Sequence, residues 1–149
     1  MTKHRIAIAS TADAIGRCYS VMRELRTHIA SAEEFVTRVV RQQAEGYLLA
    51  YLESDGEICA LAGYRFLETL FSGKNLYVDD LVTREKDRSR GFGGALLDWL
   101  IGQAREHGCE SLELDSGVQR FDAHRFYFSK RMSISSYHFR IKIEPEAQL

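Results

Sequence analysis

The stretch Asn75–Ile101, NLYVDDLVTREKDRSRGFGGALLDWLI, decides how the rest of the chain is read. Leu76 to Thr83 is an apolar, β-branched run with two adjacent carboxylates, Asp79 and Asp80, and it predicts a strand. Arg84 to Arg90 is a charged turn, and Gly91, Gly93 and Gly94 follow it as a cluster. Leu96, Leu97, Leu100, Ile101 and Ala104 then recur at helical spacing. A strand, a basic glycine turn and a helix together form a device for anions. Glycine lets a ligand come close to the backbone, and the first N–H groups of a helix have no intrahelical partner. Arg88 and Arg90 add cationic donors at the same place.

Outward from this stretch, strands and helices alternate irregularly. Arg5 to Ala9 reads as a first strand. Ser10 or Thr11 caps a helix running to about Arg26, with Ile15, Cys18, Tyr19, Met22 and Leu25 on its apolar stripe. Ser31 and Glu34 form a capping box for a second helix, which passes Phe35, Val39 and Val40 and closes at Gly46. Tyr47 to Glu53 and Glu57 to Leu67 are β-rich runs joined by the hairpin signal Ser54-Asp55-Gly56. Phe71 to Lys74 reads as a loop. Beyond the central helix, which ends near His107-Gly108, Ser111 to Asp115 alternate as a strand and Asp122 is expected to cap a last helix. Ser135 to Ile143 alternate once more, with Tyr137, Phe139, Ile141 and Ile143 on one side. The order β-α-α-β-β-β-α-β-α-β predicts an α+β sheet rather than a doubly wound one.

The 149 residues fit one domain with a sizeable core. Apolar content of 45% and charged content of 28% are those of a soluble globular protein. A net charge of −1 gives no general attraction to nucleic acid or to an anionic membrane, so any cationic site is local. Cys18, Cys59 and Cys109 show neither CxxC nor metal spacing, and they read as reduced thiols of a cytoplasmic protein. No signal peptide and no apolar run long enough to span a bilayer is found in the sequence.

Three phosphate-binding templates compete for the glycine turn. GxxxxGK(S/T) is absent from the chain. GxGxxG has to follow a strand directly, whereas Gly91-Phe92-Gly93-Gly94 follows seven charged or polar residues and its third spacing fails. The third template is Gln/Arg-x-x-Gly-x-Gly/Ala, the pyrophosphate loop of the GNAT acetyltransferases. Arg88-Ser89-Arg90-Gly91-Phe92-Gly93 fits it residue for residue, between strand and helix as in that family. With the element order, the match makes the chain resemble a GNAT N-acetyltransferase over nearly its whole length. The C-terminal half, DSGVQRFDAHRFYFSKRMSISSYHF, is similar to the subgroup that includes aminoalkylphosphonate N-acetyltransferase. The family pattern A-x-x-x-Y-x-x-x-G falls on Ala123, Tyr127 and Arg131, where arginine replaces the usual glycine.

The resemblance implies acetyl-CoA as co-substrate, a single domain over residues 1–149 and direct acetyl transfer to a small-molecule primary amine. Such an amine has a pKa of about 10, so a base has to take its proton before it attacks. Asp80, eight residues before Arg88, aligns with the subgroup's strand carboxylate and is expected to be the base or proton relay. Neighbouring strand residues point to opposite faces, so only one of Asp79 and Asp80 is expected to face the acceptor, and a bulge in the strand would swap the two. Tyr127 matches the tyrosine that hydrogen-bonds the departing CoA sulfur. Leu81, Val82 and Thr83 correspond to backbone partners of the pantetheine arm. Arg88, Ser89, Arg90, Gly91, Phe92, Gly93 and Gly94 correspond to the pyrophosphate loop. His124 and His138 read as structural polar residues, and their separation is not that of a metal pair. Two alternatives stay open: acetylation of protein or peptide N-termini, and a non-catalytic acetyl-CoA-binding regulatory domain. Oligomeric state also stays open, with a homodimer through the last strand as one option.

Overall fold

A computed structural model describes residues 3–146. The backbone forms two compact units, one ending at Leu114 and one beginning at Asp115. In the first, strands β1 (Arg5–Ile8), β2 (Leu48–Ser54), β3 (Glu57–Thr69), β4 (Gly73–Thr83) and β5 (Ser111–Leu114) lie side by side in chain order. The first four are antiparallel, and β5 runs parallel to β4. The β2–β3 connection is a two-residue turn in which Asp55 and Gly56 both have positive φ, 53° and 78°, the type I′ geometry that matches strand twist. β4 begins earlier than the sequence suggests. Thr69 already pairs with Gly73, whose φ of 64° closes the turn that was expected to be a longer loop.

The anticipated first helix is two, α1 (Ala12–Arg17) and α2 (Tyr19–Leu25), because the Cys18 N–H bonds the Ile15 carbonyl at 2.9 Å and tightens the chain. Thr11 caps α1, its Oγ1 accepting from the Ala14 N–H at 3.1 Å. α3 (Ala32–Gln43) starts at Ser31, whose Oγ accepts from the Glu34 N–H at 3.1 Å. Glu34 reaches back one residue further than a capping box requires and accepts the Ala30 N–H at 2.6 Å. α4 (Phe92–Glu106) follows β4 after a short 3-10 turn at Glu85–Asp87.

The core lies on both faces of the sheet. Ile15, Val21, Met22, Phe35 and Val39 from α1–α3 are buried with Tyr47, Leu49, Leu61 and Val82. Strand alternation leaves Leu52, Ala62, Tyr64, Leu76 and Val78 for the opposite face, where Trp99 of α4 sets its ring edge-on to Tyr64 at 6.0 Å. Among the described residues no helix is long and apolar enough to cross a membrane.

The second unit contains α5 (Phe121–Ser129). Asp122 does not cap it: the helix starts one residue earlier, and Asp122 pairs instead with Arg125 in the first turn. At the other end Arg131 has φ 65°, the left-handed conformation a glycine would adopt, with the Met132 N–H on the Tyr127 carbonyl at 3.1 Å. The departure from the family pattern changes the residue and keeps the turn. The strand expected over 135–143 is not formed. Alternation alone does not make a strand without a neighbouring ladder, and none of this unit's described residues forms a strand to pair with it. Tyr137, Phe139, Ile141 and Ile143 are exposed.

Candidate active site

The register of β3 against β4 slips at one point: Gly63 faces Asp80 and Tyr64 faces Val78, so Asp79 is an extra residue in β4. This bulge inverts the side-chain alternation. Tyr77 and Asp79 share a face by period two, and Asp80 joins them after the bulge. All three line one cleft of about 370 Å³, together with Met22, Arg26, Ile29, Phe35, Val39 and Tyr47. The expectation that only one carboxylate faces the cleft is thereby corrected.

Each carboxylate has its own guanidinium. The Arg26 Nε donates to Asp80 Oδ1 at 2.7 Å, and its other arm donates to the Asp79 carbonyl at 2.8 Å, which satisfies the backbone at the bulge. The Arg65 Nε donates to Asp79 Oδ2 at 2.8 Å while its second arm holds the Gln42 side chain. Tyr47 Oη donates to Asp80 Oδ2 at 2.7 Å, and the Arg65 guanidinium lies over the Tyr47 ring. Burial pushes the Asp79 carboxyl above its ordinary value, against the pull of Arg65. Burial, then the Asp80 charge, holds the Tyr47 phenol well above its ordinary value, so it stays a donor.

None of Arg26, Tyr47, Gly63 and Arg65 stood out in the sequence. Their partners lie 14 to 54 residues away in the chain, and only Gly63, a glycine inside a strand, carries a local signal of close approach. A Cβ at Gly63 would lie 1.9 Å from Tyr47 Oη and 2.6 Å from Asp80 Oδ2. That position admits the Tyr47–Asp80 hydrogen bond only because it has no side chain.

Pairing of β4 with β5 stops at Val78, although β4 continues to Thr83. Among the described residues, no strand pairs with the β5-side edge of β4 along Leu81, Val82 and Thr83. After the 3-10 turn, Ser89 and Gly91 both take positive φ, 67° and 85°, and Gly91 is the N-cap of α4 without a side-chain cap bond. Among the described residues, nothing beyond Gly91 and its two chain neighbours lies within 4 Å of where a Gly91 Cβ would be. The Ala95 N–H makes the first intrahelical bond, to the Gly91 carbonyl at 3.0 Å. Phe92 is buried, so its part in the loop is its backbone, and the Arg90 guanidinium lies over its ring.

Asp87 braces this loop from within. It is buried, and it binds Arg84 through one oxygen and Arg90 through the other. Burial pushes its carboxyl up, but the two guanidiniums outweigh that and leave it below the ordinary value. Because the folded value is depressed, the stabilisation is present above the unfolded value of 3.8 and is lost as pH falls through the folded one. Asp87→Asn is expected to cost about 1–3 kcal/mol at neutral pH. In chemical denaturation the gap between variant and wild type should close between about pH 5 and the acid limb; a gap independent of pH would remove the ionic role.

In the second unit, Tyr127 lies on α5 with its ring against Phe126. Burial pushes its phenol above the ordinary value, with Arg120 pulling the other way. His124 Nε2 is 2.8 Å from the Gly117 carbonyl, and His138 Nδ1 is 3.3 Å from Asp115 Oδ1. Both histidines make local polar contacts within this unit.

Residues 10–132 match the profile of the acetyltransferase (GNAT) family. An uncharacterized N-acetyltransferase of Bacillus subtilis, YhdJ, is 40% identical over 124 residues, covering 82% of this chain and 87% of the relative. The aminoalkylphosphonate N-acetyltransferase of Salmonella typhimurium is 38% identical over 63 residues, 42% of this chain and 40% of that one. The aminoglycoside N-acetyltransferase AAC(6')-Iy, solved in complex with CoA, shares the fold at a TM-score of 0.82 over 96% of each chain, with 10% identity. The chain belongs to the acetyltransferase (GNAT) family and is an N-acetyltransferase of that acetyl-CoA-using family.

Proposed function

We propose that this enzyme is cytoplasmic and transfers an acetyl group from acetyl-CoA to the primary amine of a small molecule, aminoalkylphosphonate-like or of similar size. The observation that carries the reading is the bulge that turns two carboxylates into one cleft. The cleft volume of about 370 Å³ falls in the range of small-molecule pockets. Partial similarity to an aminoalkylphosphonate enzyme supports that acceptor class. Three free cysteines, two of them buried, suit a reducing compartment.

The chain's own groups fit a pyrophosphate and its pantetheine arm. The backbone of Arg88, Ser89, Arg90, Gly91, Phe92, Gly93 and Gly94 wraps the open start of α4, where N–H groups and the helix dipole favour an anion. Leu81, Val82 and Thr83 offer backbone groups along the β4 edge that β5 leaves uncovered. Acetyl-CoA, when bound, supplies the activated acetyl thioester. Asp80 takes the ammonium proton, directly or through water. Arg26 and Tyr47 fix its two oxygens, and each oxygen keeps a lone pair for a further partner. Asp79, with its carboxyl pushed upward, is the second candidate for the same proton. Tyr127 donates its phenolic hydrogen to the departing sulfur, and its raised value keeps that hydrogen in place at neutral pH.

The direct test is release of CoA thiol from acetyl-CoA across a panel of 2-aminoethylphosphonate, amino acids, polyamines, an aminoglycoside and an N-terminal peptide. Release with a small amine supports the reading, and release with the peptide alone overturns the acceptor class. Tyr127→Phe should lower kcat about 10²-fold while leaving acetyl-CoA affinity near wild type, since only a leaving-group contact is lost. An unchanged kcat removes Tyr127 from the reaction.

A further inference from the structure

The charged residues lining the cleft are unevenly paired. Asp79 and Asp80, which by themselves would attract a cation, are each bonded to a guanidinium, Arg65 and Arg26. The floor is thus electrically balanced before any ligand enters. Arg38 and His28 line the same cleft. Arg38 has only a distant carboxylate, Glu34 at 3.9 Å, and that residue's other oxygen is engaged by the Ala30 N–H at 2.6 Å.

The position of Arg38 is itself informative. Phe35, Arg38, Val39 and Gln42 follow the spacing of one helical stripe, and all four line the cleft. Phe35 and Val39 are buried. An arginine in the inward stripe of an amphipathic helix is desolvated in part without a close counter-ion, its side chain being 36% exposed. With its nearest carboxylate at 3.9 Å, the guanidinium keeps donors available for an anion that enters the cleft.

We propose that the acceptor carries an oxyanion group as well as its amine, and that Arg38 holds that group through its guanidinium. The planar fork of arginine matches carboxylate, phosphonate or phosphate oxygens in pairs. The amine then points to Asp80 and Asp79, and the second ammonium of a dicationic amine meets the positive charge of Arg38 with no uncompensated carboxylate to offset it. This rests on the acetyl-transfer reading and adds a specificity-determining residue to it.

The test compares matched short amines with acetyl-CoA: 2-aminoethylphosphonate and β-alanine against n-propylamine and ethylenediamine. The anionic acceptors should exceed the others in kcat/KM by about 10²-fold, the scale of one charged bidentate contact. In Arg38→Ala the ratio between 2-aminoethylphosphonate and n-propylamine should collapse, chiefly through KM, and Arg38→Lys should restore part of it. A wild-type preference for n-propylamine or ethylenediamine overturns the proposal and leaves acetyl transfer standing. So does an Arg38→Ala that lowers all four equally. If none of the four amines turns over, the small-amine acceptor class of the proposed function fails. The subsite is then read by calorimetric titration of methylphosphonate: saturable binding lost in Arg38→Ala upholds it, and no binding by wild type overturns it.

Discussion

Gly63→Ala is expected to lower kcat/KM about 10³-fold, because the new methyl occupies the space through which Tyr47 reaches Asp80. The Cβ would lie 1.9 Å from Tyr47 Oη, 2.5 Å from its Cζ and 2.6 Å from Asp80 Oδ2. No rotation of one side chain relieves all three contacts, and Tyr47 is buried, so either the tyrosine leaves or the bulge shifts. A displacement of about 1 Å at a reacting group costs about 10²-fold, and loss of general-base alignment adds to it. Stability should fall by about 1–3 kcal/mol, as for overpacking elsewhere. The double variant Gly63→Ala/Tyr47→Phe separates the two effects. Removing Oη deletes the closest contact and should return part of the stability, yet it also deletes the hydrogen bond, so activity should stay low. Activity that returns along with stability would mean that the Tyr47–Asp80 bond is only packing. Retained acetyl-CoA binding in either variant shows that the loss is local to the cleft.

The same residues show what the sequence could and could not disclose. The strand, glycine loop and helix over Asn75–Ile101 were legible because each rests on local rules: alternation, φ freedom and the 3.6-residue stripe. The Asp55-Gly56 turn was legible for the same reason. The floor of the cleft was not. Arg26 meets Asp80 across 54 residues and Tyr47 meets it across 33, contacts that only the folded sheet creates. The bulge is a property of the β3–β4 register, so strict alternation sent one carboxylate to the wrong face. At the C-terminus the failure is of the opposite kind. Residues 135–143 alternate correctly, but a strand needs an edge to pair with, and period alone does not supply one.

The second large effect concerns the loop rather than the cleft. Gly91→Val should weaken acetyl-CoA binding by about 10²–10³-fold, for two separable reasons. At φ 85° a β-branched residue is forced out of its allowed backbone regions, so the cap of α4 either strains or opens. And because no described atom beyond Gly91 and its two chain neighbours lies within 4 Å of the Cβ position, the added isopropyl group would project into the open space beside the first N–H groups of α4. Gly91→Ala tests the first reason with the least bulk, since strain is present while little of the approach is blocked. Gly91→Asn tests the second, because asparagine tolerates left-handed backbone yet adds a side chain at the same place. If pyrophosphate meets the backbone here, Asn should weaken acetyl-CoA affinity more than Ala does, while Ala costs more in thermal stability. The opposite order in calorimetry would make Gly91 a cap and nothing more, and wild-type affinity in Gly91→Val would move the pyrophosphate away from this loop altogether.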